Sequence, residues 1–88
     1  MSDVSFSLDS LSKAINKRSN MTKCDKRWCE AHGVRFRMKD ADGHVCDSGY
    51  FIGEHDGQDG FLPLDSVGAP DYGAVSIEYF INGRWQEL

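Results

Sequence analysis

The sequence predicts an α+β domain in which two N-terminal helices pack on one face of a four- to five-stranded antiparallel β-meander. Three observations carry that expectation. Apolar residues recur at helical spacing in the first third, at Leu8, Leu11 and Ile15 and again at Cys24, Trp28 and Ala31. From Val34 onward the period changes to two, as a half-buried strand requires. Near the C-terminus Asn82-Gly83 stands between strand-forming runs, the composition of a two-residue hairpin turn.

Taken in order, the first helix is expected over Phe6 to Arg18. Ser7 is its N-cap, because a serine hydroxyl accepts from a free N–H of the first turn. Asp9 sits where the helix dipole favours an anion, and Phe6 with Leu11 forms a hydrophobic staple. A shorter helix is expected from Lys23 to His32, capped by Thr22 and stopped by Gly33. Val34, Phe36 and Met38 then alternate with Arg35, Arg37 and Lys39, which predicts a strand with a basic outer face. The run Asp40-Ala41-Asp42-Gly43 reads as a turn, and His44 to Ile52 as the returning strand. Gly53 to Gly60 and Ser66 to Gly73 read as loops, with a short edge segment at Phe61 to Leu64, where Pro63 cannot donate to a ladder. Ala74 to Ile81 and Arg84 to Leu88 complete the sheet, with Phe80 facing Trp85 across the turn.

Eighty-eight residues make one domain, residues 1–88, of which only about 60–65% of the unfolded surface is buried on folding. It divides into a helical basic segment, 6–33, and a β-rich acidic segment, 34–88. At 40% hydrophobic and 27% charged residues the composition is that of an ordinary globular chain. The aromatic residues suffice for one helical layer on one sheet and not for a deep, rigid-walled catalytic cleft. Residues 1–7 lack the charged-then-apolar order of a signal peptide, and no apolar run approaches the roughly 20 residues that span a bilayer. Three cysteines, an odd number, predict reduced thiols and a cytoplasmic setting rather than a disulfide framework.

Charge is distributed unevenly. Residues 1–39 carry nine of the ten Lys/Arg and four of the fourteen Asp/Glu, a balance of +5, and residues 40–88 carry the remainder, −9. Such asymmetry bears on partners. The charges either interleave into a neutral surface, or leave an acidic face for a basic partner, or leave a basic stripe for nucleic acid. A net charge of −4 opposes the last at long range, and no zinc finger, paired-aromatic RNA motif or helix-turn-helix junction supports it.

Few residues offer chemistry. Cys29 with His32, and His44 with Cys46, would supply two pairs of zinc ligands, but neither pair has the tight C-x-x-C spacing of structural zinc sites. Cys46 with His32 or His44 lacks an oxyanion-hole loop, so a catalytic thiol is not expected. Asp40-Ala41-Asp42-Gly43 lacks the further carboxylates of a calcium loop, and turn chemistry accounts for Asp and Gly there. No glycine-rich loop joins a strand to a helix to cradle phosphate. Neither a cofactor nor a metal is expected.

The habit is that of small acidic proteins of phages and mobile elements, which bind and block a larger protein; this likeness of type covers no motif. The function expected is a non-enzymatic protein-binding inhibitor or adaptor. It would dock Asp40, Asp42, Asp47, Glu54, Asp56, Asp59, Asp65 and Asp71 on a larger protein with a basic, even nucleic-acid-binding, surface. Tyr50, Tyr72 or Trp85 would serve as the apolar anchor. The alternative is a small nucleic-acid-associated regulator using the basic helices and first strand. No membrane partner is expected, and the chain would be a monomer or a homodimer.

Overall fold

The computed structural model describes residues 4–17 and 25–88. Its centre is a six-stranded, wholly antiparallel sheet: β1 (Val4–Leu8), β2 (Ile15–Lys17), β3 (Val34–Lys39), β4 (Val45–Ile52), β5 (Ser76–Ile81) and β6 (Arg84–Glu87). The order across the sheet is β2-β1-β4-β3-β5-β6. A helix α1 (Lys26–His32) precedes β3, and a 3₁₀ turn (Gln58–Phe61) leads to a widely wound π-helix, α2 (Leu64–Tyr72), before β5.

This overturns the expected fold class. There are not two N-terminal helices on a meander; the first expected helix, Phe6 to Arg18, is the β1–β2 hairpin over residues 6–17, and Arg18 lies outside the described residues. Val4, Phe6 and Leu8 alternate with Ser5 and Ser7, and that period of two wins over the helical spacing of Leu8, Leu11 and Ile15. All three apolar side chains are buried on the core face. Ser7 caps no helix, because its Oγ accepts the backbone N–H of Tyr50 on β4 at 3.2 Å. The second expected helix exists over Lys26–His32, but its cap is Asp25, whose carboxylate accepts the Trp28 N–H at 2.7 Å. Thr22, Lys23 and Cys24 lie outside the described residues. The helix buries Cys29, whereas Trp28 and Ala31 of the expected stripe are exposed. Leu64–Tyr72 is a helix where a short edge segment and a loop were expected.

The second helical layer is thus α2, on the core face, where Leu64, Val67 and the following Ala74 join Val4, Phe6, Leu8, Phe36, Met38, Phe51, Ile77 and Tyr79 in one cluster. Each large side chain buried there stabilises by about 1.5–3 kcal/mol. The helix ends in a left-handed Gly73 (φ 69°), and the Ala74 N–H returns to the Gly68 carbonyl at 3.0 Å, satisfying the last turn. Tyr79 lies between Phe36 and Phe51, at centroid distances of 5.8 and 5.6 Å. Burial pushes its phenol far above its usual range, so it stays a neutral donor, to the Gly60 carbonyl at 2.8 Å. The other helix, α1, lies over the opposite, outer face at β1 and β4, where Ser5, Ser7 and Cys29 are buried.

The β3–β4 and β5–β6 hairpins follow the alternation. Phe80 pairs with Trp85 across the Asn82-Gly83 turn, both turn residues at positive φ, with their rings edge to face at 5.1 Å.

β1 pairs with β4 where β4 has no side chain. Gly49 stands opposite Leu8, and a Cβ on Gly49 would fall 1.7 Å from the Ser7 carbonyl oxygen. Gly49→Ala therefore pushes β1 off β4 and is expected to cost about 3 kcal/mol or more, whereas Gly57→Ala, with nothing within 4 Å of the added methyl, changes stability by under about 0.5 kcal/mol. Urea unfolding of the two variants reads the difference.

Candidate functional site

Strand direction assigns every loop to one end of the sheet. The β3–β4 turn, the β1–β2 connection and the entry to β5 share one end, and the Val75 N–H donates to the Lys39 carbonyl there at 2.8 Å. The loop leaving β4 and the Asn82-Gly83 turn start from the other.

At the first end the turn is built by Asp40. Its Oδ1 accepts the N–H groups of Asp42 and His44, both at 2.9 Å. The bond from His44 first, helped by that from Asp42, holds the Asp40 carboxyl below its ordinary range. The ligand atoms of Asp40, Asp42 and His44 lie within 4.8 Å of one another, an arrangement that the turn's own hydrogen bonds account for. Behind the turn, Asp47 is buried on the core face and accepts from the Ser10 hydroxyl at 2.5 Å and from the Ser48 N–H at 2.8 Å. Ser10 Oγ in turn meets the Tyr72 hydroxyl at 3.1 Å. The Lys26 ammonium, from the first turn of α1, donates to the Leu11 carbonyl at 2.7 Å and fixes the β1–β2 connection.

This end carries Leu11, Val45, Tyr72 and Val75, exposed by 40, 48, 41 and 61%. They are four of the six exposed large hydrophobics among the described residues, the others being Trp28 and Phe80. Asp40, Asp42 and Asp71 lie at the same end, and Asp42 and Asp71 are exposed and make no ion pair among the described residues. Exposed apolar side chains and carboxylates at one end of a sheet have the composition of a docking surface.

Of the residues singled out from the sequence, Asp40, Asp42, Asp71 and Tyr72 come together here. Asp47 belongs to the same end but points inward, as a support for Ser10 and Tyr72. Glu54, Asp56 and Asp59 lie in the loop that leaves the opposite end of β4, and Asp65 lies in the first turn of α2. Tyr50 and Trp85 are half-buried on the outer face, beneath the guanidinium groups of Arg35 (4.9 Å) and Arg37 (4.0 Å). Leu11, Val45 and Val75 were not singled out. Nothing in their spacing separates them from core residues, since Val75 is even in phase with buried Ile77 and Tyr79.

The outer face of β3 is not a free basic surface. Arg35 grips both carboxylate oxygens of Asp9, at 3.2 and 3.0 Å. Arg37 and Lys39 share Glu78, at 2.6 and 3.3 Å. Three cations are thereby met by two acids within the fold.

The four candidate zinc ligands are spread over two elements. Cys29 is buried under α1, His32 is stacked on Trp28 at 4.0 Å, and His44 and Cys46 lie in the β3–β4 hairpin. Desolvation, then the nearby Asp40 and Asp47 carboxylates, push the Cys46 thiol up, opposite to what a nucleophile needs. No helix among the described residues is long and apolar enough to cross a membrane. No family model, curated protein or solved structure matches the chain.

Desolvation raises the Glu78 carboxyl, but the bonds from Arg37 and Lys39 outweigh it and the net shift is downward from 4.5. A carboxyl depressed in the folded state stabilises above its unfolded value, and that contribution is lost as pH falls through the folded value. Glu78→Gln is therefore expected to be less stable than wild type at pH 7. The two thermal midpoints should converge as pH drops below 4.5.

Proposed function

We propose that this chain is a non-enzymatic, cytoplasmic protein-binding inhibitor or adaptor that docks the β3–β4 turn end of its sheet on a larger protein with a basic surface. The observation that carries the reading is that exposed Leu11, Tyr72, Val45 and Val75 share one end of the sheet with Asp40, Asp42 and Asp71. Carboxylates at a rim steer a basic partner into encounter, and apolar side chains at the centre supply the affinity that charge alone does not. Tyr72 is the natural anchor. The residue is 41% exposed, while its hydroxyl is held by Ser10 and, through Ser10, by buried Asp47. A ring fixed before binding loses little conformational freedom on docking.

The reading supports the acidic face over the basic stripe as the functional one, and within the acidic face it favours Asp42 and Asp71 over Glu54, Asp56 and Asp59. The nucleic-acid alternative draws no support from β3, because Arg35, Arg37 and Lys39 are already engaged by Asp9 and Glu78. Phosphate binding there would have to displace those carboxylates.

The test is capture of the partner from a lysate of the source organism by tagged wild type and by three variants of unchanged circular dichroism. Asp42→Lys with Asp71→Lys is expected to slow association and remove its salt dependence. Tyr72→Ala is expected to weaken binding by about 2 kcal/mol, roughly thirtyfold. Asp56→Lys is expected to leave binding within about twofold of wild type, its loop lying at the other end of the sheet. Loss of binding on Asp56→Lys with none on Asp42→Lys and Asp71→Lys refutes the assignment.

A further inference from the structure

The β6 strand has one open side. Its register with β5 places Leu88 opposite Ile77, and the Leu88 N–H donates to the Ile77 carbonyl at 3.1 Å. In an antiparallel ladder, hydrogen-bonded and non-hydrogen-bonded pairs alternate. Gln86 and Arg84 therefore turn their backbone groups inward, to Tyr79 and Ile81. Trp85 and Glu87 turn theirs outward, to an edge that no strand among the described residues covers. Arg84–Glu87 holds no proline and pairs with β5 without a bulge, and its two charges are Arg84, on the core side, and Glu87.

The side chains of those two residues share the outer face. Trp85 stacks beneath Arg37 and against Phe80, which is 43% exposed. Glu87 stands directly opposite Glu78 in a non-hydrogen-bonded pair, the closer of the two geometries, where like charges repel. The two nearby cations, Arg37 and Lys39, are both bonded to Glu78, and Glu87 has no ion-pair partner among the described residues. The edge thus presents two free N–H/C=O positions, an aromatic shelf and, two residues along, a carboxylate that lacks a cation.

We propose that the β6 edge is a docking site for an extended basic segment of a partner protein, which adds as a seventh, antiparallel strand. The added strand pairs its backbone with Trp85 and Glu87, as in other strand additions to an open sheet edge. It sets a Lys or Arg beside Glu87 and, two residues later, an aromatic side chain on Trp85 and Phe80. A second copy paired through its own β6 does not meet the requirement. On the outer face β6 carries only Trp85 and Glu87, and its one cation, Arg84, lies on the opposite face. Antiparallel pairing of two β6 edges therefore brings no cation to Glu87. The proposal stands on the edge and its charges alone and is independent of the surface around Tyr72.

The test uses the intact ¹⁵N-labelled protein and a blocked synthetic peptide, Thr-Lys-Thr-Tyr-Thr, as the probe. Amide shift changes are expected to concentrate at Trp85, Glu87 and Phe80. Exchanging the probe's Lys for Glu is expected to weaken binding about tenfold, and Glu87→Lys is expected to invert that preference. N-methylation of the two peptide amides that face β6 is expected to abolish binding, because the ladder bonds are lost. Shift changes centred on Tyr72 and Asp42, an unaltered preference in Glu87→Lys, or no binding by the Lys peptide would each overturn the proposal. So would a concentration-dependent shift of the same amides without peptide, which marks self-association. Failure here leaves the Tyr72 surface untouched, since Asp42→Lys and Asp71→Lys are read by partner capture and not by this probe.

Discussion

The close approach of β1 to β4 at Gly49 is the constraint on which the rest of the structure depends. Ser7's carbonyl occupies the space a side chain would take at position 49. That vacancy lets a segment with competing helical and strand periodicities settle as a strand beside β4. Once it does, Val4, Phe6 and Leu8 complete the apolar face begun by Phe36, Met38 and Phe51. The Phe6 and Phe36 rings then meet edge to face at 6.3 Å, and the second face of the sheet becomes the place where Ser5, Ser7 and α1 meet. The core is therefore one layer of aromatics under α2, and not a sheet under two leading helices.

The same arrangement settles the charges. With β1 beside β4, Asp9 follows the strand onto the outer face and reaches Arg35 across the sheet. With β5 beside β3, Glu78 sits between Arg37 and Lys39. The Asp9–Arg35 pair, the more exposed of the two groups, contributes little to stability, but both groups decide what the surface offers. The basic strand is largely neutralised from within, and Lys13, Arg27 and Arg84 are exposed without an acidic partner among the described residues. The acids at the β3–β4 turn end, Asp42 and Asp71, have no such neighbour. Folding thus pairs charges that lie far apart in the chain on the outer sheet face.

Both surfaces proposed for binding arise where the sheet stops. At the turn end, strands terminate before their apolar residues are covered, so Val45 and Val75 remain exposed at the end that also carries Tyr72. At β6 the ladder stops with two residues' backbone groups facing outward. The two sites call for different chemistry, an apolar pocket with a basic rim in one case and a basic extended segment in the other, and one basic partner protein could supply both.

By itself the sequence determined the two hairpins, 34–52 and 76–87, the placement of Phe80 against Trp85, and the imbalance of charge. These are local properties: alternation over six or so residues and a turn whose residues accept positive φ need no distant partner. Of the residues it singled out, Asp40, Asp42, Asp71 and Tyr72 share one end of the sheet, while Asp47 is buried and Glu54, Asp56 and Asp59 lie at the other end. Only the tertiary structure decided between strand and helix at Val4–Leu8, because Leu8 fits both periods and the deciding partner, Gly49, lies far along the chain. It decided the helix at Leu64–Tyr72, where Gly68 and Pro70 argue locally for a loop, but Leu64 and Val67 seat on the core face. It decided, too, which charges cancel. Arg35 and Asp9 are 26 residues apart and Arg37 and Glu78 are 41 apart, and pairing over such separations follows from strand order, which no local pattern encodes.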